Sequence, residues 1–133
     1  MNARMFAYTA LCQICIHKTY SNLYLRKELD KAEHKDKGLI TTIVYGTLQN
    51  YRLSRYQWED MVQKLPKEET AVLLDMSAYQ LFYMDKLPAY AIINEAVEIA
   101  KKHGGKKQGA LVNAVLHKVM QRGQRELPKD VLQ

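Results

Sequence analysis

Proline, glycine and cysteine are scarce in this chain: three, six and two among 133 residues. So few helix breakers leave room for long helices. Two cysteines cannot build a disulfide framework. No apolar run reaches the ~18 residues that a membrane span needs. The N-terminus carries Arg4 but no continuous apolar stretch ending in a small-residue cleavage site, so it does not read as a signal peptide. The expected compartment is the cytoplasm, where thiols stay reduced. Sustained period-2 alternation is missing, as are Asn-Gly and Asp-Gly hairpin signals, which argues against strands. Internal repeats and low-complexity segments are missing too. What remains, 47% apolar and 26% charged, suits one globular domain.

Acid is missing from two segments. Met1 to Lys27 carries Arg4, Lys18, Arg26 and Lys27 with no carboxylate. Lys101 to Arg125 carries seven basic side chains, again with none. Between Glu59 and Asp85 the balance reverses, with six carboxylates against Lys64 and Lys67. A polyanion would be drawn to the two ends of the chain and repelled by its middle. Ordinary solvated lysines are the plainer explanation, but 25 residues without an acid favour a binding face.

Apolar residues recur at helical spacing. Helix one is predicted from about Ala3 to Lys18, with Met5, Tyr8, Cys12, Cys15 and Ile16 on one stripe. Helix two follows Ser21 as N-cap, through Leu23, Leu25 and Leu29. Asp30 to Gly38 reads as a charged loop. Helix three carries Leu39, Ile40, Ile43, Val44 and Leu48, and Gly46 inside it implies close packing against a neighbour. Ser54 and Gln57 have capping-box spacing for helix four, with Leu53 and Trp58 as its hydrophobic staple. Pro66 suits the first position of helix five, where Glu68 and Glu69 complement the dipole. That helix is apolar on most sides and is expected at the centre. Pro88 starts helix six, and Gly104 suits its end. Helix seven carries Leu111, Val112, Val115, Leu116 and Val119. The expectation is an all-α bundle of about seven helices.

Cys12 and Cys15 form a CxxC with His17 beyond it. Structural zinc takes four ligands, and no second cysteine pair exists. A redox CxxC sits at a helix N-terminus, whereas these lie three turns in. Haem attachment requires His directly after the second Cys, where Ile16 stands. A buried helix face is the better reading. His17, His34, His103 and His117 lack HExxH-type spacing, and no nucleophile elbow, Walker A loop or Rossmann fingerprint appears. No catalytic constellation is assembled by the sequence, and no metal site is expected.

The stretch GGKKQGALVNAVLHKVMQR, from Gly104 to Arg122, is the most informative. Lys106 and Lys107 open helix seven, where the macrodipole disfavours cations by ~0.3–1 kcal/mol each. Free backbone N–H groups flanked by lysines make an anion site, and two glycines allow close approach of a phosphate. The plainer alternative is a hydrated loop whose lysines aid solubility. Lys118, Arg122 and Arg125 could continue the track, since 118 and 122 share a face. Asn94, Glu95 and Asn113 interrupt apolar stretches and are expected to bond neighbouring helices. Tyr20, Tyr24, Tyr51, Tyr56 and Tyr90 lie near loops or helix ends, where some could stack single-stranded bases, although most are expected at core edges.

These stretches resemble the NusB-like helical domain. AYQLFYMDKLPAYAIINEAVEIAKKHGGKKQGALVNAVL is similar to that family's run from helix five to helix seven. Arg4 before an alanine-rich helix, the YSN of Tyr20 to Asn22, and VYGTLQN from Val44 to Asn50 extend the resemblance. The last two resemble the N-terminal domain of RsmB-type (Sun/Fmu-type) 16S rRNA cytosine-5 methyltransferases. Gln49, Asp75 and His117 stand where those sequences usually carry Arg.

The resemblance implies two packed helical bundles, a NusB-like RNA-binding domain over residues 1–126 and a linker start over 127–133 at Leu127–Pro128. It implies an accessory domain that helps position rRNA for a methyltransferase domain outside this chain. That domain would bind S-adenosylmethionine and supply the attacking cysteine, a role that Cys12 and Cys15 do not match. The candidate RNA-binding residues are Arg4, Lys18, Lys101, Lys106, Lys107, Gln108, Lys118, Arg122 and Arg125. The alternatives are a free-standing NusB-type antitermination factor, binding rRNA leader and a ribosomal protein, and a helical protein–protein module.

Overall fold

The computed structural model describes residues 2–19, 21–84 and 86–128, with all side chains of these except Ser21 and Asn22. Six α-helices carry the fold: α1 (Ala3–Cys15), α2 (Ser21–Leu29), α3 (Lys37–Gln49), α4 (Tyr51–Trp58), α5 (Glu68–Tyr83) and α6 (Ala89–Arg122). Two short 3-10 turns, His34–Asp36 and Glu59–Met61, link them, and no strand occurs among the described residues. The six-helix count differs from seven because α6 runs through the predicted break. Its backbone leaves helical geometry at Gly105 (φ 84°), so two arms, 89–104 and 106–122, meet at an angle. The turn falls one residue later than the expected end at Gly104. The left-handed φ is one that glycine adopts without a Cβ clash.

α1, α2 and α3 pack as one group and α4, α5 and α6 as another, and α5 touches both groups. This all-α, two-bundle architecture agrees with the expected fold. α5 is central because residues 70–80 are buried without interruption. Only a helix surrounded by partners hides every face. Gly46 is the contact that lets α3 approach it. A Cβ there would fall inside the Tyr79 ring.

Several end signals are used otherwise. Ser54 and Gln57 lie inside α4 and are fully buried, so they form no capping box. Pro66 precedes α5 by two residues, Lys67 is the N-cap, and Glu68 and Glu69 do occupy the first turn. Pro88 is the N-cap of α6, one residue before its first turn. The Asp30–Gly38 loop contains a 3-10 turn and gives way to α3 at Lys37. Ser21, expected as the N-cap, is instead the first residue of α2, and Tyr20 as a stacking residue lies outside the described positions.

Candidate nucleic-acid interface

α1 is capped by Asn2, whose side chain accepts from the Met5 N–H at 2.8 Å. This end of α1 lies against the end of the first arm of α6. The His103 ring sits 5.3 Å from that of Tyr8, and its Nε2 lies 3.4 Å from Met5 Sδ. Asn2 and Met5 share a 410 Å³ crevice with Glu95, Glu98, Lys101 and Lys102. The start of the N-terminal basic segment and the lysine-rich bend of α6 therefore meet in one place.

At that bend Lys101, Lys102, His103, Lys106 and Lys107 are all exposed. The Lys101 stem folds across Gly109, close enough that a Cβ there would stand 2.5 Å from Lys101 Cγ. Its ammonium lies 3.7 Å from the exposed Glu98. Such a surface pair contributes little. Lys118 is exposed on the second arm, about 16 Å from Lys107 along the helix axis. Lys64 and Lys67 approach the same arm from the segment before α5, lining a 610 Å³ groove with Gln108 and Leu111. They were hidden in the sequence by their acidic surroundings. The only signal that could have found them is their position just ahead of a helix N-terminus.

The acid of the middle segment is partly occupied elsewhere. Asp75, buried on α5, accepts from Arg55 at 2.7 and 3.2 Å and from the Trp58 indole at 2.8 Å. Burial pushes its carboxyl above the usual range, against the pull of Arg55 and Trp58. Asp60 pairs with Arg122 at 2.5 Å and Arg125 at 3.1 Å. The Arg122 hydrogen bond holds the Asp60 carboxyl below its ordinary value.

The nine candidate residues therefore divide. Lys101, Lys106, Lys107 and Gln108 gather at the bend, with Lys118 beyond. Gln108 also accepts from the Thr70 hydroxyl at 2.6 Å. Arg4 is buried, 2.8 Å from Glu95 and donating to Gln80 at 2.6 Å. A guanidinium committed to two internal partners holds α1 to α5 and α6 and presents no free charge. Arg122 and Arg125 are tied to Asp60, and Arg125 also lies 3.9 Å over the Tyr56 ring. Lys18 lines a separate 530 Å³ cavity with Cys15, Tyr51 and Arg55.

Of the expected structural residues, Glu95 is paired with Arg4, whereas Asn94 and Asn113 face solvent. Asn94 and Asn113 thus depart from the reading as helix-to-helix bonds, because their positions fall on the outer sides of the two arms. Tyr51 and Tyr90 are exposed, while Tyr24 and Tyr56 are partly buried. Cys12 and Cys15 are free and half-buried against the core. Burial pushes the Cys12 thiol up to about 11, which opposes thiolate chemistry.

This is an all-α domain of two packed helical groups with a lysine-rich corner at a glycine bend. A sequence model described as the NusB family matches residues 1–121, and the chain belongs to that family. Among its relatives, a probable ribosomal RNA small subunit methyltransferase B of Bacillus subtilis (strain 168) is 39% identical over 126 residues, covering 92% of this chain and 28% of that protein. A transcription antitermination protein NusB of Halalkalibacterium halodurans is 29% identical over 123 residues, covering 90% of this chain and 91% of that one. The structure of T. maritima NusB superposes with a TM-score of 0.80 at 21% identity, over 98% of this chain and 94% of that one. The chain thus spans under a third of this methyltransferase relative and over nine-tenths of these two NusB proteins.

Proposed function

We propose that this chain is the RNA-binding module of a small-subunit rRNA methyltransferase. In this reading it holds rRNA on its lysine corner while a catalytic domain of the same polypeptide methylates cytosine. S-adenosylmethionine would be held by that catalytic domain and by none of the side chains described above. The observation that carries the reading is the convergence of exposed Lys101, Lys102, Lys106 and Lys107 on the α6 bend. Lysines placed along a strand displace condensed counterions, which gives affinity without base specificity. The 39% identity to a methyltransferase B supports the parent enzyme.

A second reading has its own support. The same helices cover 91% of the H. halodurans NusB, so a free-standing antitermination factor with a ribosomal protein partner would present the same corner. The reading frame decides between them: continuation for roughly another 300 residues, more than one domain's length, means the methyltransferase.

RNA binding itself is tested by salt. Affinity for single-stranded RNA should fall with a log–log slope of roughly −0.7 for each phosphate contacted. Lys106→Glu with Lys107→Glu should flatten that slope by about 1.4. A flat response in the unaltered protein would leave the third class, a protein–protein module, in its place.

A further inference from the structure

Beside the lysine corner lies a partly enclosed 220 Å³ cavity lined by Tyr8, Lys67, Glu69, Thr70, His103 and Gln108, among others. It is smaller than the ~300–1,000 Å³ pockets that take drug-sized ligands, and it has room for a single ring. Its walls are of two kinds. Tyr8, 5% exposed, and His103 form a tilted aromatic pair on one side. On another, Thr70, 7% exposed, donates its hydroxyl proton to Gln108 Oε1 at 2.6 Å. That bond fixes the Gln108 amide with its NH2 group free to donate. Glu69 adds a carboxylate, which only accepts.

A carboxylate lining the cavity repels phosphate, even though Lys67 is present. An acceptor and a donor beside an aromatic wall instead match the polar edge and flat face of a nucleobase. We infer that this cavity takes one unstacked pyrimidine of the bound strand, while the lysines outside carry its phosphates. The inference rests on the RNA-binding reading and adds a base-recognition site to it. Glu69 accepts from the ring or exocyclic N–H, Gln108 donates to a carbonyl or ring nitrogen, and His103 stacks.

The test compares two RNA strands of about 12 nucleotides and equal charge, one of pyrimidines and one wholly abasic. The pyrimidine strand should bind about tenfold or more tightly than the abasic strand, the worth of one stacked base. Glu69→Ala, His103→Ala and Thr70→Val should each shrink that ratio toward one. Glu69 and His103 are exposed, so the first two variants leave the core intact. Removing the Glu69 charge should strengthen abasic binding, so a rise for both strands with an unchanged ratio would mean a phosphate site and overturn the inference. Equal binding of the two strands with a normal salt slope would also overturn it while leaving RNA binding in place. Failure of both strands to bind would end both.

Discussion

The side-chain amide of Gln57 grips the backbone of Arg125 from both sides, donating through Nε2 to the carbonyl at 2.6 Å and accepting at Oε1 from the N–H at 2.7 Å. This is the pairing a strand edge would offer, supplied by one buried side chain. Arg122 and Arg125 close the clasp on Asp60, and Arg125 Nη2 reaches the Tyr56 carbonyl at 2.5 Å. The segment from Gly123 to Arg125 is therefore held against α4.

Gln57→Leu should keep the volume and lose both bonds, costing about 1–3 kcal/mol. Denaturant midpoints give the loss, and amide exchange should show Arg125 losing protection while α5 keeps its own. Unchanged exchange at Arg125 would refute the clasp.

The clasp also carries a pH dependence. Asp60 has a folded-state pKa below its unfolded value of 3.8. Its contribution is therefore present above that unfolded value and is lost as pH falls through the folded one. Titration from pH 5 toward 2 should free residues 123–128 progressively, and Asp60→Asn should remove that step from the exchange profile.

Gly46→Ala should be among the most damaging small substitutions, costing about 3 kcal/mol by overpacking against Tyr79. Tyr79→Leu in the same chain should recover part of that loss, read as a less-than-additive double-mutant cycle. Full additivity would mean the two residues do not meet.

Arg55 and Asp75 should behave as a unit. Asp75→Leu alone leaves a half-buried guanidinium without its carboxylate and should cost about 3 kcal/mol. Adding Arg55→Leu should restore part of it, because two apolar groups replace a pair that burial already penalises, while the buried Trp58 indole N–H still lacks its acceptor. Urea unfolding of the four proteins checks this.

Cys12 should resist alkylation. With burial pushing its pKa up to about 11 from the ordinary 9.0, the thiolate fraction at pH 8 falls about a hundredfold. The folded value exceeds the unfolded one, so the stabilising contribution is full below pH 9 and is lost as pH rises through 11. Iodoacetamide rates in native and urea-unfolded protein measure the difference.

Local pattern carried most of the fold. The continuous apolar character of α5, the tight glycine in α3 and the break in the GG pair each follow from neighbours within a turn or two. Tertiary partners decided the rest. Ser54 and Gln57 have capping-box spacing, yet Gln57 turns inward to a residue 68 positions away. Arg4, Arg122 and Arg125 look like free cations until Glu95 and Asp60 are brought beside them. Lys64 and Lys67 were masked by carboxylates, of which Asp60 and Asp75 face basic partners in the fold. Asp75 could be read from the sequence as needing a partner, but nothing local named Arg55.

The most direct test of the lysine corner is amide chemical-shift mapping with a single-stranded rRNA fragment. Shifts should concentrate at residues 101–108 and 64–70 and extend toward Lys118, leaving Arg122, Arg125 and the Lys18 cavity unmoved. Shifts centred on the clasp or the Lys18 cavity, with the bend silent, would contradict the account.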